Sequence, residues 1–378
     1  MSLAFQSPLQ APCSKPDKLL LTGACGFVGS TLALELRRVL PDLEIIGIDN
    51  LSRKGSEGNV PKIQESGIRF QVGDIRNPAD LDKLPAVNWV IDCAANPSVL
   101  AGVDGKSSSF EVMDHNLIGT LQLLEYCKKH KSGFILLSTS RVYSIAALSA
   151  IPVEEVKGAF RPETALHAQS SALHADSVTP EGVTESFSTR PPLSLYGMSK
   201  LCSENLALEY GETFRFPVWI NRCGVLAGAG QFGRADQGIF AYWINSWLRK
   251  KPLKYIGFGG QGFQVRDALH PRDLVPLLIL QMNDPLRKVE KIQNLAGGAA
   301  NSISLKQLSD WCEKRFGPHR VLSDPEPRPF DLPWMVLDAT LARQQWGWRM
   351  ETPLDLILEE IAAHAEAHPD WLEISGNS

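Results

Sequence analysis

Nowhere in the 378 residues do cysteine and histidine fall at zinc-ligand spacing. The seven cysteines (Cys13, Cys25, Cys93, Cys127, Cys202, Cys223 and Cys312) include no Cys-x-x-Cys pair, so neither a structural zinc nor a disulfide framework is expected. No metal site is expected at all. Scattered thiols, odd in number, fit a reducing, cytoplasmic setting. Basic excess is also missing: 38 Lys and Arg stand against 42 Asp and Glu, a net charge of -4. That argues against a broad grip on nucleic acid or on an anionic membrane, while one or two local arginines could still hold a small anion. The longest uncharged stretch, Leu19 to Leu34, is broken by Thr22, Gly23, Gly26, Gly29 and Ser30, and reads as strand, glycine turn and helix start rather than a membrane span. Residues 1–17 are polar and proline-bearing, without a basic start leading into an apolar stretch, so a loose tail is expected there and a secretory signal is not. No repeat of 20 to 50 residues and no low-complexity tract is visible.

What is present, with 44% hydrophobic residues, is an alternation of short apolar runs with amphipathic stretches. This pattern predicts a parallel sheet with crossover helices. Strands are expected at Leu19–Thr22, Glu44–Ile48, Arg69–Val72, Trp89–Asp92, Gly133–Ser138 and Val218–Arg222; helices at Ser30–Leu40, Pro78–Lys83, Phe110–His130 and Ser199–Tyr210. A long irregular insert, about 144–190, carries Pro152, Pro162, Pro180 and then Pro191 at its edge; segments of this length tend to be covers or mobile pieces. After Asn221 the alternation weakens, predicting a smaller second lobe that includes a helix at Ile239–Lys250. Most of its tryptophans are expected to pack in the core.

The first strand runs into a Gly-x-x-Gly-x-x-Gly at Gly23, Gly26 and Gly29 and then directly into a helix. Without side chains the backbone can approach a pyrophosphate, and the helix N-terminus offers free amide donors. Phe27 and Val28 lie inside this turn. Asp49, twenty residues after Gly29, falls at the end of the second strand, where a carboxylate can accept from ribose hydroxyls; Asn50 follows it. An acid there favours NAD over NADP, although Arg53 and Lys54 are close enough to meet a 2′-phosphate. The third strand exits into Gly73, Asp74 and Ile75, the fourth into Cys93, Ala94, Ala95 and Asn96, and both ends should face the cofactor. Tyr196 and Lys200 stand four apart at the head of a helix, on one face. An ammonium about 4 Å from a phenol contributes up to about 4 kcal/mol at an effective dielectric near 20, enough to bring the phenol toward a usable base. Thr139, in the preceding Leu-Leu-Ser-Thr-Ser, would sit near that phenol.

With these motifs the chain resembles the extended short-chain dehydrogenase/reductases, particularly the nucleotide-sugar epimerases and dehydratases, over roughly Lys18 to Ala367. The resemblance implies a Rossmann-type doubly wound α/β sheet with a smaller, interleaved C-terminal substrate lobe. Its NAD-binding part would be 18–222 plus about 264–292, and its sugar-nucleotide lobe about 223–263 plus 293–370. It implies Thr139 as catalytic hydroxyl, Tyr196 as base and Lys200 as its lysine, with Asn116 as the family's helix asparagine on the cofactor side. Asn96, Gln231 and Arg266 are implied as substrate ligands, Arg266 meeting the diphosphate. Arg328, in Arg-Pro-Phe-Asp with Asp331, is either a phosphate or ribose ligand or a surface ion pair. His270 reads as structural.

Dehydratases of the family follow the threonine with Asp-Glu; Ser140 and Arg141 stand here, so dehydration is not expected. The strings Gly230–Gly238 and Gln264–His270, Trp243 and the insert are similar to those of the CDP-paratose 2-epimerase branch. In contrast, the family's diphosphate-contacting asparagine is replaced by Val225. The reaction implied is transient oxidation and re-reduction of a sugar carbon by a homodimer or homotetramer that retains NAD. A 4-epimerase, a net oxidoreductase on another sugar nucleotide, and a silent NAD-binding regulator remain as alternatives.

Overall fold

The computed structural model describes residues 16–103, 105, 108–163 and 177–376; most of the expected tail and part of the insert lie outside them. Its centre is a sheet of seven strands: β1 (Lys18–Thr22), β2 (Glu44–Asp49), β3 (Arg69–Val72), β4 (Trp89–Asp92), β5 (Gly133–Thr139), β6 (Val218–Cys223) and β7 (Ile292–Leu295). All pairings are parallel and the spatial order is β7-β6-β5-β4-β1-β2-β3. The chain reverses its direction of travel between β1 and β4. Ligands bind beyond the strand ends at such a switch point.

The helices used below are α1 (Phe27–Val39), α2 (Gly119–His130), α3 (Leu195–Phe214), α4 (Ile239–Leu248), α5 (Val275–Asn283), α6 (Leu305–Phe316) and α7 (Leu354–Ala367). Because successive strand residues point to opposite faces, Leu19 and Leu21 join one apolar core with Leu32 and Leu36 of α1. Leu20 joins the other, with Leu123 and Leu124 of α2. Both faces of β1 are covered, which explains its unbroken apolar run.

β7 was not among the expected strands. Its central residues, Gln293 and Asn294, are polar yet fully buried, and buried amides are tolerable only when bonded. Asn294 accepts from the Tyr143 hydroxyl at 2.7 Å and donates to the Val183 carbonyl at 2.9 Å, while Gln293 donates to Gln345. Apart from the Glu290 carbonyl, which also accepts from Gln293, these partners are 52 to 151 residues away in sequence, so no local pattern announces this strand. The expected Phe110–His130 helix is also less regular: a π-helical turn at Asp114–Ile118 separates Ser109–Met113 from α2.

The lobe contains a four-stranded sheet of Val225–Leu226, Val265–Leu269, Ser302–Ser304 and Trp334–Met335, and a separate parallel pair, Leu253–Ile256 with Val321–Asp324. Phe240, Trp243 and Trp247 of α4 pack with Leu308 of α6 and Ile357 and Ile361 of α7. The described part of the insert forms a hairpin, Val153–Val156 with Ala159–Pro162, that adheres to this lobe. The Phe160 amide donates to the Phe263 carbonyl at 2.9 Å, and the Ser304 hydroxyl donates to the Gly158 carbonyl at 2.6 Å. Leu148, Ile151, Val183 and Phe187 share an apolar cluster with Val265 and Trp334–Leu337. The described insert residues are thus a brace on the lobe; none of them lines the central cleft.

Candidate active site

A cleft of about 720 Å3 opens over the carboxyl ends of β1, β2, β4 and β5 and reaches into the lobe. At its cofactor end Gly23 adopts a φ of +60° and a Cβ there would sit 3.0 Å from the Ala94 Cα. A Cβ on Gly29 would lie 2.1 Å from the Gly23 carbonyl oxygen. The loop therefore needs glycine for its own closure as well as for ligand approach. Gly26 enters α1 in extended conformation with no side chain capping the helix, leaving first-turn amides for an anion.

Asp49 is buried at the end of β2 and accepts from the Cys25 amide at 2.9 Å and the Leu51 amide at 2.8 Å. Burial raises its pKa despite these donors. Arg53 is already engaged: it donates to the Gln237 side chain at 3.0 Å and the Phe232 carbonyl at 3.1 Å. With an acid at the ribose position and the nearby arginine committed, the site fits NAD better than a 2′-phosphorylated cofactor. Asp74 receives the Asn50 side chain at 3.0 Å and the Arg76 guanidinium at 2.7 Å. The Arg76 hydrogen bonds hold its carboxyl well below the usual carboxylate range.

Most of the residues read from the sequence border the cleft: Gly23, Gly26, Phe27, Val28, Gly29, Asp49, Asn50, Asp74, Ile75, Ala94, Ala95 and Asn96 toward the cofactor end, then Thr139, Tyr196, Gln231, Arg266 and Arg328. Asn116 and Lys200 are buried behind it. Asn116 accepts from the Asn96 amide at 2.7 Å and donates to the Asn96 carbonyl at 3.1 Å and the Ser199 hydroxyl at 3.0 Å. It ties the loop after β4 to the head of α3, a placement the π-helical turn provides.

Tyr196 is one residue into α3, behind a Ser194 cap whose hydroxyl accepts from the Gly197 amide at 3.0 Å. Burial pushes its phenol up to about 12; a hydrogen bond from Thr139 and the charge of Arg141 act the other way. The charge of Lys200 acts on the thiols of Cys93 and Cys223. Behind this wall a buried ion pair, Arg222 with Glu204 at 2.7 Å, and the Ser138 hydroxyl donating to Glu204 lock β6, β5 and α3 together. They fix where Thr139 and Tyr196 meet.

On the lobe side Arg266 pairs with Asp331 at 2.8 Å and donates to the Leu332 carbonyl at 2.9 Å, beside Arg328. Arg328 is therefore a cleft residue rather than a surface ion pair. Arg141, read from the sequence only as a missing acid, joins this group; its position two residues past Thr139 was the one available signal. Phe240, Ile303, Leu305 and Leu308 supply an apolar end wall that no motif marked. His270 accepts from the Arg272 amide at 3.1 Å at a helix start, and burial lowers its pKa to about 3, so it is neutral and structural.

The segment Gly230–Gly238 crosses the cleft as a strap. Besides its bonds to Arg53, Asp236 accepts from the Ser98 hydroxyl at 2.7 Å, and Arg234 donates to the Ser375 carbonyl at 2.8 Å. Phe232 stacks on Trp371 at 5.3 Å. Among the described residues, no group of three or more His, Cys, Asp and Glu could hold a metal ion, and no helix is long and apolar enough to cross a membrane.

A switch-point cleft with a glycine turn, a buried acid at the end of β2 and a Thr-Tyr pair is the architecture of a Rossmann-type, dinucleotide-dependent enzyme. Residues 19–296 match the model of the NAD dependent epimerase/dehydratase family, and the chain belongs to that family, whose cofactor is NAD. It is 31% identical over 317 residues to the CDP-paratose 2-epimerase of Salmonella typhi, covering 78% of this chain and 84% of that protein. It is 26% identical over 377 residues to a UDP-glucose 4-epimerase of Caenorhabditis elegans, covering 91% and 96% respectively. Its fold matches the crystal structure of a UDP-glucuronic acid 4-epimerase from Bacillus cereus in complex with UDP-glucuronic acid and NAD. There the TM-score is 0.73 and the identity 26%, over 93% of this chain and 99% of the other.

Proposed function

We propose that this protein is a nucleotide-sugar epimerase that oxidises one sugar carbon transiently and reduces it again from the opposite face, as a 2-epimerase on a CDP-linked sugar. The observation that carries the reading is the position of the Thr139–Tyr196 pair, between the glycine turn and an arginine cluster, in one continuous cleft. NAD, when bound, supplies the hydride acceptor and returns the same hydride. Tyr196 takes the hydroxyl proton from the sugar and gives it back; Thr139 orients that hydroxyl; Lys200 supports the site from behind. Arg266 and Arg328 hold the diphosphate, with Asn96 and Gln231 bordering the bound sugar nucleotide. Gly23, Gly26, Gly29, Asp49 and Asp74 hold the cofactor, and the strap keeps it in place between half-reactions. Ser140 and Arg141 provide no carboxyl group to expel water, which disfavours a dehydratase.

The similarity to the Salmonella typhi enzyme, extending over most of both chains, supports the CDP-sugar, C2 reading. The Bacillus cereus neighbour favours a second reading, a 4-epimerase on a UDP-sugar. We assign residues 18–223 with about 270–295 to the NAD-binding domain and 224–269 with about 296–370 to the substrate lobe; the boundaries at 264 and 292 read from the sequence shift because Val265–Leu269 pairs in the lobe sheet and Ile292–Leu295 in the central one. We also read the protein as a cytoplasmic homodimer or homotetramer. Free thiols at Cys25, Cys93, Cys127, Cys202, Cys223 and Cys312 suit a reducing compartment, and exposed Phe110 and Ile118, just before α2, offer apolar surface for a subunit contact.

The test is turnover of CDP-, UDP- and GDP-sugars followed by NMR, with mass spectrometry of the small molecules released on denaturation. Inversion at C2 of a CDP-sugar with bound NAD is the expected result. Inversion at C4 selects the second reading, and stoichiometric accumulation of NADH means a net oxidoreductase. Bound NAD with no turnover of any sugar would point to a regulator.

A further inference from the structure

Arg141 lies on the short turn Ser140–Val142 that leaves β5, and its amide donates to the Thr139 hydroxyl at 3.2 Å. The side chain crosses to the lobe segment and donates through Nη1 to the Phe330 carbonyl at 3.1 Å. Two other guanidinium groups, Arg266 and Arg328, act on it, as do the Tyr196 phenol and one carboxylate, Asp331. That carboxylate is hydrogen-bonded to Arg266 at 2.8 Å, so among the described residues Arg141 makes no ion pair of its own. The three guanidinium groups and Asp331 line one cleft, and with Asp267 buried beside Arg266 the cluster keeps an excess of positive charge. Buried charge without a partner is costly, and burial beside Arg266 lowers the Arg141 pKa to about 10. The guanidinium still borders the open cavity, and its remaining N–H groups have no protein acceptor among the described residues. The β6 side of the same cavity carries the apolar Val225 and Leu226.

A diphosphate diester carries two negative charges, opposite in sign to this excess, and a guanidinium binds phosphate oxygens through paired donors. Arg266 and Arg328 approach from the lobe, whereas Arg141 approaches from the sheet, on the turn that carries Thr139. Building on the nucleotide-sugar reading, we propose that Arg141 binds the phosphate that bears the sugar. It holds that phosphate beside Tyr196 while the oxidised sugar turns over, and completes a diphosphate grip shared by two lobes.

The experiment titrates NAD-loaded wild type, Arg141→Gln and Arg141→Lys with CDP, CMP, UDP, UMP and a UDP-uronic acid by calorimetry. Loss of a charge-assisted phosphate contact corresponds to about 10- to 100-fold in affinity. The expected result is that Arg141→Gln weakens the better-bound diphosphate by that factor while its monophosphate changes by less than about threefold, with Arg141→Lys intermediate. NAD content, measured on the same samples, should stay stoichiometric and shows that the variants are folded. Equal weakening of diphosphate and monophosphate would overturn the assignment, as would unchanged diphosphate binding in both variants. So would unchanged diphosphate binding with loss of a UDP-uronic acid alone, because the arginine would then read a sugar carboxylate. If wild type binds neither diphosphate, the nucleotide-sugar reading itself fails and takes this proposal with it.

Discussion

The two ends of the cleft are built in opposite ways. The cofactor end is made of backbone and short-range contacts: the glycine turn closes on itself, Asp49 reaches the Cys25 amide 24 residues away, and Asp74 is held by Arg76 two residues away. The substrate end is made of side chains from distant segments: Arg141, Arg266 and Arg328 meet only because the insert and the lobe fold back onto the sheet. A backbone site tolerates little change in shape and binds what all family members share. A side-chain site can be rebuilt residue by residue, so it is where specificity can change within a family.

The sharpest way to separate the two ends is Tyr196→Phe. Removing the phenolic oxygen should reduce kcat by about 1000-fold while NAD remains bound in stoichiometric amount; retained turnover would remove Tyr196 from the proton path. Gly29→Ala should strike the other end. The added Cβ meets the Gly23 carbonyl at 2.1 Å, so we expect loss of copurifying NAD and destabilisation by about 1–3 kcal/mol, read by chemical denaturation. Normal NAD content in a stable variant would show that the turn relaxes freely.

A smaller effect is expected where the ends are joined. Arg53→Ala cuts two hydrogen bonds from the β2 side to the strap. The NAD release rate, followed after dilution into a cofactor trap, should rise by about tenfold, with turnover at saturating NAD nearly unchanged. An unaltered release rate would mean that the strap does not retain the cofactor.

The smallest effect concerns Asp267, on the strand that carries Arg266. Burial raises its carboxyl to about 7 despite backbone amides that act the other way, and among the described residues its Oδ2 has no hydrogen-bond partner. Between the ordinary value near 3.8 and about 7, the folded protein holds a proton that the unfolded chain releases. This group's contribution to stability therefore falls as pH rises through that window and levels off above it. Asp267→Asn removes the slope, so the melting temperature of the variant minus that of wild type should increase from pH 5 to pH 8. A constant difference would show that the carboxyl titrates normally.

Five of the seven sheet strands, β1, β2, β4, β5 and β6, were legible because their apolar runs sit at the buried centre of a parallel sheet; β3, also expected, lies at the edge with Arg69 and Val72 exposed. β7 was not, since Gln293 and Asn294 are buried through bonds to Tyr143, Val183 and Gln345 rather than through their own polarity. The residues of the cofactor end were legible as a motif. Lys200, four residues from Tyr196 on one helix, is buried behind the cleft, and its charge acts on Cys93 and Cys223. Helical spacing fixes the face a side chain leaves from, and packing decides which neighbours its charge reaches.

The sequence by itself determined the family, the doubly wound fold, the glycine turn and the placing of Thr139 and Tyr196 at one cleft, because each depends on periodicity or on residues joined through one strand or turn. Only the tertiary structure decided that the insert braces the lobe, that Gly230–Gly238 straps the cleft, and that Arg141 joins Arg266 and Arg328. These features depend on side chains separated by more than a hundred residues, and electrostatic and packing energies act over ångströms in space, with no regard to distance along the chain.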